Sequence, residues 1–179
     1  MKKHLVELKA TSTDHDRQRE RLLAAGADFR GTDHQVDHYF RVPEGRLKLR
    51  VGNVENSLIF YRRENTATAK NSDANLTPLD HAATARELAA TLDAALGTLV
   101  VVDKQREIYF IDNVKFHLDT IAGLGTFVEI EAIGAAEKER DALRGQVDRY
   151  QQLLGIQETE LQSVSYSDML LQQQADGAA

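Results

Sequence analysis

The sequence predicts an α+β domain built as an antiparallel β-barrel with helices packed outside it. Three observations carry that prediction. First, five segments have the two-residue period of a strand, with charged residues sharing one side. Val6 and Leu8 oppose Glu7 and Lys9, and Leu47, Leu49 and Val51 oppose Arg46, Lys48 and Arg50. Lys104 and Arg106 share a face, Phe116 and Leu118 oppose Lys115, His117 and Asp119, and Val128 and Ile130 oppose Glu129 and Glu131. Second, both signs of charge are present. One such strand normally has core on one side and water on the other, whereas five closing on one another gather about a dozen ionisable groups inside a barrel. Such an interior suits a polyanion and the metal that travels with it. Third, strand-like and helix-like segments come in blocks, not in regular βαβ units.

After the first strand, Thr11-Ser12-Thr13-Asp14 offers N-caps for a helix running to Ala25, where Gly26 stops it. An extended segment from Asp28 to Val42 turns at Pro43-Glu44-Gly45 into the strand Arg46 to Val51. Gly52-Asn53 leads on to Ser57 to Arg63, whose Leu-Ile-Phe-Tyr run is strongly strand-forming. These three segments read as an antiparallel meander. The polar stretch from Arg63 to Pro78 reads as loop or edge strand. From Leu79 to Leu96 the chain is rich in alanine and leucine, a helix closed by Gly97. Strands return at Thr98 to Phe110, Val114 to Asp119 and Thr126 to Ile133, with reversals at Asp112-Asn113 and Gly123-Leu124-Gly125. A helix from Ala135 to Leu154 stops at Gly155, and a short helical turn precedes Ser165-Tyr166.

Composition narrows the chemistry. The absence of cysteine removes disulfides, thiolate metal sites and thiol nucleophiles. With 28 acidic against 22 basic residues, the net charge of −6 argues against a nucleic-acid or anionic-membrane surface. Any anion site is therefore a local concentration of Lys and Arg. Glu7 and Lys9 interrupt what would be the apolar region of a signal peptide, and no stretch approaches a membrane span of roughly 18 residues. A cytoplasmic protein without nucleic-acid or membrane partners is expected. The sequence has no phosphate-cradling Gly-x-x-x-x-Gly-Lys-Ser/Thr loop and no Gly-x-Ser-x-Gly elbow, and its six histidines are scattered.

The string Val6-Glu7-Leu8-Lys9, Gln35 to Phe40, Gly45 to Arg50, Lys104-Gln105-Arg106, His117-Leu118-Asp119 and Gly123 to Glu131 resembles the CYTH superfamily, the triphosphate tunnel metalloenzymes. It looks most like the bacterial proteins called class IV adenylate cyclases. The resemblance implies a closed antiparallel eight-stranded barrel with helices outside and a single domain over residues 1–171, while residues 172–179 read as a disordered tail. One position departs from the family's opening Glu-x-Glu-x-Lys, since Leu5 stands where the first carboxylate belongs.

The charges then divide into two sets. Glu129 and Glu131 are two residues apart on one strand, with α-carbons about 7 Å apart. With Glu7 and Asp119 they would supply hard oxygen ligands to Mg²⁺ or Mn²⁺. Four carboxylates crowded together require a cation or opposing Lys and Arg. Lys48, Arg50, Arg63, Lys104 and Arg106 would contact phosphate oxygens, and His117, on the same side as Asp119, would hydrogen-bond a phosphate or a carboxylate. Lys9, together with Glu7, is the catalytic candidate, either binding phosphate or positioning a nucleophile. Arg46, Lys70 and Lys115 read as surface charges, and Ser72, Tyr39, Tyr61 and Tyr166 equally as supporting donors or as packing and surface residues. The expected function is adenylate cyclase-like conversion of ATP to cyclic AMP and pyrophosphate. The alternatives are hydrolysis of thiamine triphosphate or tripolyphosphate, and a non-catalytic polyphosphate-binding module. A homodimer is compatible with this reading.

Overall fold

The computed structural model describes residues 2–63, 70–136 and 139–177, without the side chains of residues 2, 3, 63 and 70–73. It is an eight-stranded antiparallel sheet with four helices. In chain order these are β1 (Lys2–Thr11), α1 (His15–Ala24), β2 (Asp28–Phe40), β3 (Arg46–Val51), β4 (Ser57–Arg63), β5 (Lys70–Pro78) and α2 (Ala82–Leu96). They continue as β6 (Thr98–Ile111), β7 (Val114–Ile121), β8 (Gly125–Gly134), α3 (Arg140–Leu154) and α4 (Tyr166–Gly177). The strands pair in the order β1-β5-β4-β3-β2-β6-β7-β8, and β8 pairs back onto β1.

The alternation seen in the sequence sets which face goes where. On β1, β7 and β8 the apolar side packs outward: Val6, Leu8, Phe116, Leu118, Val128 and Ile130 meet Leu143, Val147, Tyr150 and Leu154 of α3 in one buried cluster. Leu47, Leu49 and Val51 of β3, with Phe40 of β2, likewise pack against Leu88, Ala89 and Leu92 of α2. The charged sides of these strands face the interior, where Lys9, Arg50, Lys104, Arg106 and His117 are all buried. At one end that interior is apolar, with Tyr39, Tyr61, Val100, Val102 and Phe127 packed around Tyr166 of α4.

Local signals act as read. Asp14 caps α1 by accepting the Arg17 N–H at 3.0 Å. Gly155 ends α3 with φ +71°, a left-handed conformation that costs glycine nothing. Asp112-Asn113 makes a two-residue hairpin between Ile111 and Val114, with Asp112 at φ +50°.

Three expectations change. The stretch read as loop or edge strand contains β5, which pairs on both sides, with β1 and β4, so it is not an edge. Its polar composition hid it because two neighbouring backbones, not its own side chains, satisfy its hydrogen bonds. Residues 64–69 of that stretch lie outside the described residues. α2 starts at Ala82 and α3 at Arg140, later than read. The short turn is present at Glu158–Glu160, but a full helix follows it, and α4 continues to Gly177 through the stretch read as a tail. Met169, Leu170 and Leu171 pack α4 against the inner apolar cluster, and Arg46 clamps its start through Ser165 at 2.6 Å and Asp168 at 2.8 Å.

The α3 cluster is the main outer core. Leu143→Ala is expected to lower unfolding stability by roughly 2–5 kcal/mol, because a leucine that is 3% exposed leaves a cavity. Chemical denaturation measures this, and a change under about 1 kcal/mol would mean that α3 carries little of the fold.

Candidate functional site

A cavity of about 490 Å³ opens on the inner face of the strands. Its first wall is basic and is organised by one carboxylate. Asp37 on β2 is buried and accepts from Lys104 at 2.6 Å, from Lys48 at 3.0 Å, and from Arg50 through Nε at 2.8 Å and Nη2 at 3.1 Å. Burial alone would push the Asp37 carboxyl up, but Arg50, then Lys104 and Lys48, outweigh it and hold it well below the usual range. Burial lowers Lys104 to about 7, since Asp37 offsets only part of the desolvation and Arg50 and Arg106 repel the charge.

The opposite wall is acidic. Cross-strand register places Lys9 beside Glu129, Glu129 beside His117, and Glu7 beside Glu131. Arg106 on β6 reaches Asp119 through two nitrogens, at 2.6 and 2.5 Å, and Glu129 at 2.6 Å. Tyr166 donates its hydroxyl to Asp119 at 2.8 Å. Burial disfavours the charge on Arg106, but Asp119 and then Glu129 more than offset it and raise its pKa further. Burial likewise opposes ionisation of Glu129, and Arg106, then Lys9, hold its pKa well down. Lys9 lies 3.2 Å from Glu129 and 3.7 Å above the Tyr166 ring, contacts that suit a cation. His117 is buried, with Nδ1 3.2 Å from Glu129 and 3.7 Å from Glu131, and burial lowers its pKa, so the ring is neutral near pH 7.

Towards solvent the lining becomes mixed, with Val54, Phe110 and Ile133 beside Glu55 and Lys115. Lys115 donates to Glu55 at 2.5 Å. Glu55 comes from the β3–β4 loop, which is anchored from beneath by Asp33. That fully buried carboxylate accepts the backbone N–H groups of Asn53, Val54 and Glu55 at 2.6, 2.9 and 3.0 Å. Gly52 is required there because a β-carbon would sit 2.8 Å from an Asp33 oxygen.

The structure therefore brings together Glu7, Lys9, Lys48, Arg50, Lys104, Arg106, Glu129 and Glu131 around one cavity. The side chain of Arg63, like those of Lys70 and Ser72, lies outside the described residues. Both Asp119 oxygens are taken by Arg106 and Tyr166, so Asp119 orients Arg106. His117 sits among the carboxylates. Two residues read as surface charges are placed differently: Lys115 lines the cavity, and Arg46 is only partly exposed and holds α4. Lys115 shares the parity of His117 and Asp119, and that was its available signal. Asp37 had the same kind of signal, since it shares a strand face with Gln35 and Tyr39. Glu55 had none, because a loop has no period. Leu5, where a carboxylate was expected, also lines the cavity and packs against the inner apolar cluster.

Donor chemistry in the acidic wall fits a divalent cation. Among the described residues, His117, Glu129 and Glu131 each offer a ligand atom within 4.8 Å of the others. Two carboxylates and an imidazole suit Mn²⁺ better than Mg²⁺, which prefers oxygen alone.

Residues 3–166 match the CYTH domain. The chain belongs to the CYTH domain family. Among curated proteins there is no sequence match. Several solved structures share the fold. The PH1012 protein of Pyrococcus horikoshii OT3 is 23% identical, with a TM-score of 0.73 over 92% of this chain and 98% of that one. A Vibrio parahaemolyticus protein carrying an adenylate cyclase assignment is 19% identical, with a TM-score of 0.75 over 93% and 97%. HpAC1 from Hippeastrum, an adenylyl cyclase candidate with a dominant triphosphatase activity, is 15% identical, with a TM-score of 0.65 over 97% and 96%. Among the described residues, no helix of this CYTH protein is long and apolar enough to cross a membrane.

The depressed pKa of Lys104 sets a pH dependence. The folded protein releases this proton near pH 7, whereas the unfolded chain keeps it to about pH 10. Between those values the unfolded state binds more protons, so stability rises with pH; below pH 7 the cost of the buried charge is fully present. Melting curves from pH 6 to 9.5 are expected to show this rise in the natural protein and a flatter profile in Lys104→Met. Parallel profiles would show that Lys104 keeps an ordinary pKa.

Proposed function

We propose that this CYTH protein is a metal-dependent enzyme acting on an organic triphosphate, with adenylate cyclase-like conversion of ATP to cyclic AMP and pyrophosphate as its leading activity. The observation that carries the reading is the division of one cavity into a basic wall gathered by Asp37 and an acidic wall gathered by Arg106. The strand order with β8 paired to β1 supports a barrel whose interior is a tunnel for the substrate. Val54, Phe110 and Ile133 at its outer part favour a substrate with an organic end over inorganic tripolyphosphate.

In this reading Lys48, Arg50 and Lys104 exchange part of their hold on Asp37 for phosphate oxygens. Three basic side chains already converge there, so the anion meets a wall that needs little reorganisation, and it would favour the protonated form of Lys104. Arg106, held by Asp119 through Nε and Nη2, lines the cavity and would add a further cation to the phosphates. Glu129, Glu131 and His117, with Glu7 alongside, would hold the divalent cation, which would neutralise charge on the reacting phosphate. The lost carboxylate at Leu5 leaves that group with fewer oxygens. Cyclisation directs the ribose 3′-hydroxyl at the α-phosphate, with pyrophosphate leaving. The protein's residues hold the chain of phosphates in line for it. Hydrolysis of the terminal phosphate is the second reading, favoured by the dominant triphosphatase activity of the Hippeastrum neighbour.

Product analysis tests this. Purified protein with ATP and Mn²⁺ or Mg²⁺ is expected to release cyclic AMP and pyrophosphate; orthophosphate instead selects the hydrolase. Tight tripolyphosphate binding with no product from any triphosphate would end both enzymatic readings and leave a binding module, in keeping with Leu5. Glu129→Gln/Glu131→Gln is expected to abolish turnover in a folded protein, and undiminished turnover would take both residues out of the site.

A further inference from the structure

Among the described residues, Glu55 is the one cavity carboxylate supplied by a loop, and its surroundings resemble those of a bound anion. Its Oε1 lies 2.5 Å from Lys115 Nζ on β7, and its Oε2 lies 3.3 Å from Arg50 Nη1 on β3 and 3.5 Å from Gln35 Nε2 on β2. Three strands thus aim donors at one carboxylate that none of them carries. The Glu55 side chain is 31% exposed, against 11% for Lys115 and 9% for Arg50, so it is the more accessible member of both ion pairs. Burial would raise its pKa, but Lys115 and Arg50 hold it at about 2, so it stays an anion at any working pH. Asp33 fixes the loop beneath it through three backbone N–H groups, so the carboxylate is delivered to this point by built structure.

We propose that Arg50 and Lys115 form a phosphate subsite at the outer part of the cavity, and that Glu55 fills this subsite in the free protein until a phosphate group displaces it. The inference rests on the triphosphate reading above and adds an occupant and a cation to it. A forked guanidinium and an ammonium around one anion suit a phosphoryl group as well as a carboxylate. Glu55 would then weaken binding of any anion that does not reach both cations, so it selects for a phosphate chain long enough to do so.

The experiment measures binding of metal-free inorganic tripolyphosphate by titration calorimetry to the natural protein, Glu55→Gln, Lys115→Met and the double variant, with melting curves to confirm folding. Glu55→Gln is expected to bind about tenfold more tightly, since a competing charged hydrogen bond is gone. Lys115→Met is expected to bind more weakly, and the gain from Glu55→Gln is expected to shrink in the Lys115→Met background. A mere field effect of one negative charge would give the same gain in both backgrounds and would overturn the proposal, as would unchanged or weaker binding by Glu55→Gln. If the natural protein binds tripolyphosphate neither alone nor with Mn²⁺, the triphosphate reading falls and this proposal falls with it.

Discussion

The structure depends on keeping buried carboxylates ionised on the inner face of its sheet. Asp37, Asp119 and Glu129 lie within the inner face, and each is held ionised by Lys or Arg against the cost of burial. Remove the cations and the carboxylates would have to take up protons or repel one another. Much else follows from that pairing. Arg106 and Asp119 tie β6 to β7, Asp37 ties β2 to β3 and β6, and Lys9 with Glu129 ties β1 to β8. Two of these contacts, Lys104 with Asp37 and Lys9 with Glu129, link strands distant in sequence.

A site of this kind is stable without ligand yet prepared for one. Among the described residues, every cation lining the cavity already has a carboxylate partner, so an incoming polyanion competes with fixed acids for fixed bases. The donors are preorganised, and affinity is set by the difference between two strong interactions. The acidic wall is the complement: its carboxylates lean on Arg106 and Lys9, and a divalent cation beside His117 would add to that support. Anion and cation are therefore expected to help each other, since each relieves the charge left by the other. The apolar plug around Tyr166 shields the deep end from water, which strengthens these interactions.

Much of this was legible in the chain. The alternation of Glu7 with Leu8, Lys48 with Leu49, and Glu129 with Ile130 showed two-faced strands, and shared parity pointed to Lys104, Arg106 and His117 as one group. Lys115 has the same parity and went unread because a single lysine near a turn is ordinarily solvated. Asp33 and Asp37 belong to a strand whose other residues are mixed, so the pattern there is diluted. α4 was missed because its apolar residues, Met169, Leu170 and Leu171, form a short cluster and not a periodic stripe; packing against the inner cluster makes it a helix.

The sequence by itself determined the α+β class, most of the strands, the two-faced character of the sheet and the CYTH membership, because period and order are properties of neighbours along the chain. The charged faces were also expected to turn inward, and the tertiary structure supplied the reason. It put the charged faces inward because three helices, α1, α2 and α3, cover the apolar ones, and that arrangement exists only once residues more than a hundred apart have met. It also decided the roles of individual charges. Asp119 became an orienting partner, His117 joined the carboxylates, and Glu55 reached Lys115 across sixty residues, because charge partners are chosen by distance in space.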